Sequence, residues 1–382
     1  MHNWVLLILT ALGVAAAAGC GFLSHAPNRI VPGQHLLLYD IADGSILVAL
    51  AAVGSCLLVT ALVRPGRTTS VVTGLALFAA LVLVLAAAGS GAAALANPDV
   101  PASRTSLGPA FWLMAAAIGL AFMDLFQQAQ LSARSRLFLN GAIATAIWGI
   151  TAAGWLDALS LAREYHARSD VFSTAVRQHV ILVAITALIA TSAGVPLGVM
   201  AAGDSRLRTR VFGILNIVQT VPSIALFGLI IGPLSSLSNA VPWLRAVGIS
   251  GIGTTPALIA LVVYALLPLV RNTVTGIDAV PSATLDAARG IGMGPNRILF
   301  LVTLPLALPV ILVGLRVVII QTIGLAVVAA LIGAGGLGSF VFQGLGQNAL
   351  DLVLLGVIPT ILLALAVDAA FSVLVASQRP VR

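Results

Sequence analysis

Apolar runs of about 20 residues recur along the whole chain, and no other feature limits its fold as much. A helix needs about 20 apolar residues to cross about 30 Å of hydrocarbon. Such runs fall at 4–23, 44–63, 70–92, 108–126, 137–156, 176–201, 211–231, 255–275, 303–330 and 352–376. Each run is continuous and rich in Leu, Ala and Val, whereas barrel strands would alternate, so the spans are read as helices. Only 8% of the 382 residues are charged, against roughly 25% in soluble domains. A soluble fold of this size is excluded. The expected class is an all-α polytopic membrane protein with about ten transmembrane helices.

The charges that remain are unevenly placed. All 19 cations are Arg, and 11 of the 12 acids are Asp, with Glu164 the exception. One alternate set of connections carries Arg64, Arg67, Arg134, Arg136, Arg206, Arg208, Arg210, Arg271, Arg289, Arg297, Arg379 and Arg382. The other carries Arg29, Arg104, Arg163, Arg168, Arg177 and Arg245. Cytoplasmic loops retain the excess of Arg. This split therefore predicts an inner-membrane protein with both termini in the cytoplasm. The net charge of +7 is spread in small groups, which argues for orientation in lipid and against nucleic acid.

The residue types also restrict the chemistry. Without Lys there is no standard P-loop and no Schiff-base chemistry. Cys20 and Cys56 lie in apolar stretches, away from any disulfide framework or Cys-rich metal site. His2, His25, His35, His166 and His179 fall in loops or at span edges without metal-pair spacing. No catalytic residue, metal ligand or cofactor site is expected in this chain.

The longest polar stretch, 157–178, divides five spans from five. It suits an amphipathic helix lying on the outer face. The expected organisation is an amino-terminal extension at 1–156, a periplasmic linker at 157–175 and a carboxy-terminal transport domain at 176–382. The first run resembles a signal h-region, and Ala17-Ala18-Gly19-Cys20 faintly resembles a lipoprotein cleavage site. With no Arg before it, the run is read as a retained helix.

The connection at 281–305 is the most informative segment. Pro281 suits a helix start, Ala287 and Ala288 give a narrow surface, and Gly290 and Gly292 end the helix. A short exposed helix closed by a glycine turn suits docking to another protein; an ordinary connecting loop is the plainer reading. The segment resembles the EAA loop of ABC importer permeases: Glu-Ala-Ala, three residues, Gly, nine residues, Ile, one residue, Leu-Pro. Here Asp286-Ala287-Ala288, Gly292, Val302 and Leu304-Pro305 keep that spacing, with Asp for Glu and Val for Ile.

Further stretches extend the resemblance over about 170–376. Gln219-Thr220-Val221-Pro222-Ser223, Tyr264 to Thr273, Leu306 to Pro309, Gly314-Leu315-Arg316 and Gly333 to Gly338 look like the osmoprotectant branch, which takes up glycine betaine, choline or carnitine-like solutes. The long amino-terminal half, with Ala26-Pro27-Asn28-Arg29 and Arg104 to Gly108, looks like the YehY-type glycine betaine permeases. The resemblance implies a five-helix type I permease core and a second permease subunit, identical or homologous. It also implies a periplasmic substrate-binding protein and a cytoplasmic ATPase dimer that holds ATP and Mg. The coupling residues it implies are Asp286, Ala287, Ala288, Arg289, Gly290, Gly292, Leu304 and Pro305.

Other residues carry two readings each. Gln219, Thr220, Tyr264, Asn272 and Gln321 line a polar path or make interhelical hydrogen bonds. Pro222, Pro268 and Pro309 kink helices that rock. Arg316, inside a span, lines the path or gate, or meets a structural partner such as a carbonyl or an Asp. Gly194 and Gly198 form a close helix contact. Gly333 to Gly338 fits a dinucleotide fingerprint, but an apolar span precedes it where a strand is required, so it is read as a break ending the ninth span. The alternative function is an ion-coupled secondary transporter of small zwitterionic or cationic solutes, which would need its own coupling group near the midplane.

Overall fold

A computed structural model describes residues 3–28, 31–64, 66–97, 99–100, 102–131, 133–246 and 248–377. Arg29, Arg379, Arg382 and His2 lie outside the described residues. The chain forms two compact units: residues 1–168 with 348–351, and residues 169–347 with 352–382.

The first unit holds α1 (Trp4–Gly19), β1 (Leu23–Ala26), β2 (Gln34–Leu36), α2 (Leu38–Ile41), α3 (Gly44–Leu62), α4 (Arg67–Ala94), β3 (Arg104–Leu107), α5 (Pro109–Gln128), α6 (Ala133–Ala152) and α7 (Ser160–Ala167). Buried Leu6, Leu57, Leu77 and Ala121 join α1, α3, α4 and α5. Phe22, Leu23, Val84 and Phe111 form a second cluster beside the strands.

The small antiparallel sheet, in the order β2-β1-β3, is absent from the helix-only expectation. Leu23 pairs with Leu36 on one side and with Leu107 on the other. Strands of three or four residues are too short for alternation to be read in sequence. Gly108 permits the entry into α5: a Cβ there would lie 2.3 Å from the Gly21 carbonyl oxygen.

Polar anchoring fastens α7 to this sheet. Glu164, almost fully buried, accepts from Arg104 Nη1 at 2.5 Å and pairs with Arg168 Nε at 3.3 Å. The helix breaks at Arg168. The polar stretch is consequently two pieces: a short amphipathic helix, α7, and the first turns of the next helix, so the expected helix covers only the first half of the stretch.

The second unit holds α8 (Ser169–Gly203), α9 (Ser205–Thr220), α10 (Ser223–Ala240), α11 (Trp243–Ala246), α12 (Thr254–Asp278), α13 (Ser282–Gly290), α14 (Pro295–Ile298), a π-helical turn (Leu299–Thr303), α15 (Leu304–Ala329), α16 (Gly338–Gly346) and α17 (Leu350–Ser377). At its centre α12 is held between α8 and α15. Small residues let the backbones approach. A Cβ on Gly198 would lie 2.6 Å from Thr273 Cβ, and one on Gly314 would lie 2.5 Å from Asn272 Cβ. This is the contact read from Gly194 and Gly198, made in lipid by close packing.

Among the described residues, eight helices are long and apolar enough to span a membrane: Gly44–Leu62, Arg67–Ala94, Pro109–Gln128, Ser169–Gly203, Ser223–Ala240, Thr254–Asp278, Pro295–Ile332 and Leu350–Val375. The chain is a multi-pass membrane protein. Three of the ten expected spans differ. The run at 4–23 yields a helix of 16 residues, about 24 Å long. The run at 137–156 yields α6, shifted toward the polar residues Arg134, Arg136 and Asn140. The run at 211–231 is cut at Pro222, which lacks a backbone donor and holds Val221 out of the helical region; Val221 is extended, with φ −75° and ψ 127°.

Candidate functional site

The 281–305 segment is a short helix between two turns. Pro281 caps α13 in an extended conformation. Asp286 Oδ1 accepts from Arg289 Nη1 at 2.7 Å, and both side chains are about two-thirds exposed (67% and 65%). Ala288 packs inward while Ala287 faces out. The helix ends in a Schellman turn. Gly292 N donates to Arg289 O at 2.9 Å, and Met293 N donates to Ala288 O at 3.1 Å. That turn needs a left-handed residue, which Gly292 supplies at φ +82°. Gly290 has open space where a Cβ would sit.

Between the turn glycines, Ile291 is 80% exposed. Pro295 then starts α14, and the π-helical turn carries the chain to Leu304-Pro305 at the head of α15. π-helical turns interrupt the regular ladder and recur at functional sites. The result is an exposed apolar tip continuous with a membrane-spanning helix.

An ion pair missed in the sequence braces this region. Arg208 of α9 donates from Nη1 and Nη2 to the two carboxylate oxygens of Asp278, each at 3.0 Å. Asp278 is the last residue of α12, immediately ahead of the loop. The signal available in sequence was an acid at a span end opposite the Arg206–Arg210 cluster.

The candidate path residues are brought together in part. Gln219 Nε2 donates to Tyr264 O at 2.7 Å, and the Tyr264 hydroxyl donates to Val221 O. Tyr264 therefore satisfies a carbonyl freed where Pro222 separates α9 from α10, and Gln219 satisfies the α12 carbonyl of Tyr264, whose helical donor is missing because Pro268 has no N–H. Thr220 Oγ1 caps Ile217 O at 2.7 Å, and Asn272 Nδ2 donates to Pro268 O at 2.8 Å, below the α12 proline. Gln321 is half-buried on α15. No hydrogen bond joins it to the others among the described residues.

Arg316 has an acidic partner. Its Nε donates to Asp368 Oδ1 at 2.8 Å, and its Nη2 donates to the same oxygen. Asp368 lies inside α17, so of the two structural partners read for Arg316, a carbonyl or an Asp, the acid is the one that the structure bears out. A lone Arg in one apolar run and a lone Asp in another was the available signal.

The glycine segment after α15 is a helix break, as expected. Gly333, Gly335 and Gly336 all have positive φ. Gln178 Oε1 accepts from Gly336 N at 3.1 Å. His179, assigned to a span edge in the sequence reading, is instead fully buried within α8. Its Nε2 lies 3.2 Å from Ile323 O. The break needs its glycines for space as well as for φ, since a Cβ on Gly335 would lie 2.5 Å from Gln178 Oε1.

Known proteins resemble both parts of the chain. Residues 2–162 match the family described as ABC transporter permease YehY, N-terminal domain. Residues 194–380 match the binding-protein-dependent transport system inner membrane component family. The osmoprotectant import permease protein OsmW of Salmonella typhimurium is 42% identical over 191 residues, 50% of this chain and 84% of that one. The choline transport system permease protein OpuBB of Bacillus subtilis is 37% identical, over 51% of this chain and 83% of that one. Among solved structures, a chain of the inward-facing MetNI methionine ABC transporter is 22% identical with a TM-score of 0.49. The match covers 56% of this chain and 98% of that one.

Proposed function

We propose that this chain, which belongs to the binding-protein-dependent ABC transporter permeases, forms half of an ATP-driven pathway for an osmoprotectant such as glycine betaine. The observation that carries the mechanism is the exposed helix α13 with its left-handed Gly292 and its 80%-exposed Ile291. It is a protrusion closed by its own hydrogen bonds, with an apolar tip left uncovered among the described residues. A groove on a cytoplasmic ATPase subunit is its natural partner. The ATPase dimer holds ATP and Mg, and this chain contributes no nucleotide site.

ATP-driven closure of the ATPase pair moves the protrusion. The Arg208–Asp278 pair ties its root to α9 and α12, and the π-helical turn ties its exit to α15. Both sides of the bundle around α12 thus receive the displacement. The proline interruptions at Pro222, Pro268 and Pro309 are where helices yield. Coupling of this kind needs two discrete arrangements of a packed bundle. A second permease subunit supplies the other half of the path, and a periplasmic binding protein delivers the solute.

In this reading the chain lies in the inner membrane, with α13 and both termini on the cytoplasmic side. The permeases named for osmoprotectant, choline and carnitine transport support the substrate class. The test is uptake of labelled glycine betaine into proteoliposomes containing this permease, its ATPase and its binding protein. Uptake should require ATP and should vanish when the ATPase is omitted. Uptake driven by an ion gradient without the ATPase would overturn the proposal. So would failure of an Ala287→Cys permease to form any disulfide with single-cysteine ATPase variants.

A further inference from the structure

The first unit contains a half-open cavity of about 230 Å³ lined chiefly by α1, α3, α4 and α5. Its lining is aliphatic almost throughout, and its one hydroxyl, that of Thr10, is already used on Leu6 O at 2.7 Å. A cavity of roughly 150 Å³ with such walls stays dry and takes up a benzene-sized hydrocarbon. This one is larger and equally unsuited to water.

Its length is set by the helices. Lining residues on α3 run from Leu47 to Leu57 on one face, a rise of about 15 Å. That is half of the roughly 30 Å hydrocarbon core, the depth of one leaflet. The floor is deeply buried, with Leu77 and Val84 each 1% exposed. Of all the lining residues only Val14 and Ala51 are exposed, and they sit on α1 and α3. The mouth therefore opens sideways between these helices. Ala51 lies near the middle of α3, a membrane-spanning helix, so the mouth faces hydrocarbon. Gly13 and Gly54 line it without a side chain, and a Cβ on either would meet nothing within 4 Å.

We propose that this cavity is a phospholipid site that holds one acyl chain of one leaflet between α1 and α3 of the amino-terminal unit. The site depends on the chain being embedded in lipid and not on the importer reading, so the two stand or fall separately. Within it the acyl chain replaces a missing side-chain layer and joins four helices that otherwise meet around a void.

The test uses the full chain in nanodiscs of palmitoyl-oleoyl phosphatidylglycerol and phosphatidylethanolamine. A trace of phosphatidylcholine carrying a diazirine midway along one acyl chain serves as the photoprobe. Peptides covering 9–17 and 47–57 should be labelled at least fivefold above peptides from the exposed faces of α6 and α17. Native mass spectrometry should retain one phospholipid per chain. The double variant Gly13→Leu and Gly54→Leu extends side chains into the cavity from positions where a Cβ meets nothing within 4 Å and raises helix propensity. It should fold, lose the excess labelling and lose the retained lipid. Even labelling in both proteins would overturn the proposal. So would a retained mass matching a free fatty acid, or photo-crosslinks from Val14 or Ala51 positions to a second copy of the chain.

Discussion

The Arg316–Asp368 pair joins α15 to α17 inside the membrane-spanning bundle, and its removal can be worked through quantitatively. Arg316 is 12 residues beyond Leu304, about 18 Å along α15, which places it near mid-membrane. An unpaired charge at a span centre costs about 2.5–3.5 kcal/mol on insertion scales. Removing one partner of a buried pair costs about 3–5 kcal/mol, mostly because the other charge is stranded. The two side chains are 32% and 40% exposed, which lowers the expectation to about 2 kcal/mol for Arg316→Leu or Asp368→Leu alone. For a unit of 150–250 residues that is about 4–8 °C in Tm. The double variant leaves no stranded charge and should recover to within about 1 kcal/mol of the parent. The assay is thermal unfolding of all four proteins in one detergent, analysed as a double-mutant cycle. Additive losses in the double variant would refute the ion pair as the source of the effect. Transport then separates the two roles weighed for Arg316. Restored stability with restored uptake assigns a structural role, whereas restored stability without uptake assigns a role in the path. If Arg316→Leu leaves both assembly and uptake intact, neither role survives.

Three further outcomes are expected. Gly198→Leu should destabilise the second unit by about 3 kcal/mol or more, because its Cβ alone would sit 2.6 Å from Thr273 Cβ and overpacking adds to that; Gly203→Leu, with open space at its Cβ, is the control and should cost under about 1 kcal/mol. Glu164→Gln should loosen α7 from β3 by about 1–3 kcal/mol, since two arginines lose a buried charged acceptor; faster hydrogen exchange confined to 104–107 and 160–167 is the readout. Gly292→Ala should strain the left-handed turn by about 1 kcal/mol and leave overall Tm nearly unchanged. In the importer reading it should lower betaine-stimulated ATPase activity severalfold, and an unaltered stimulation would count against α13 as the coupling element.

The membrane class was legible because it needs only composition and run length, and seven of the expected runs coincide with spanning helices. The coupling segment was legible because prolines and glycines act through local backbone geometry. Pro281, Gly292 and Pro295 stand at the turns that their residue types require. The interruption at Pro222 was equally local and legible as a kink, but the apolar run continues across it, so the full break between α9 and α10 was not. The short sheet was not legible, because three or four residues carry too little alternation and the pairing of Leu23 with Leu36 and Leu107 is made across long separations.

Residue types alone determined that this chain lives in lipid, that it lacks a P-loop lysine for ATP, and where its backbone must turn. Each of those follows from solvation or from the conformational limits of single residues. Only the tertiary structure decided which polar side chains meet. It set Tyr264 on the carbonyl freed at Pro222 and Gln219 on the carbonyl freed by Pro268, gave Arg316 an aspartate on another helix, buried His179, and left an aliphatic cavity between α1 and α3. Those outcomes depend on contacts between residues tens or hundreds of positions apart, and such contacts leave no pattern in any local window of sequence.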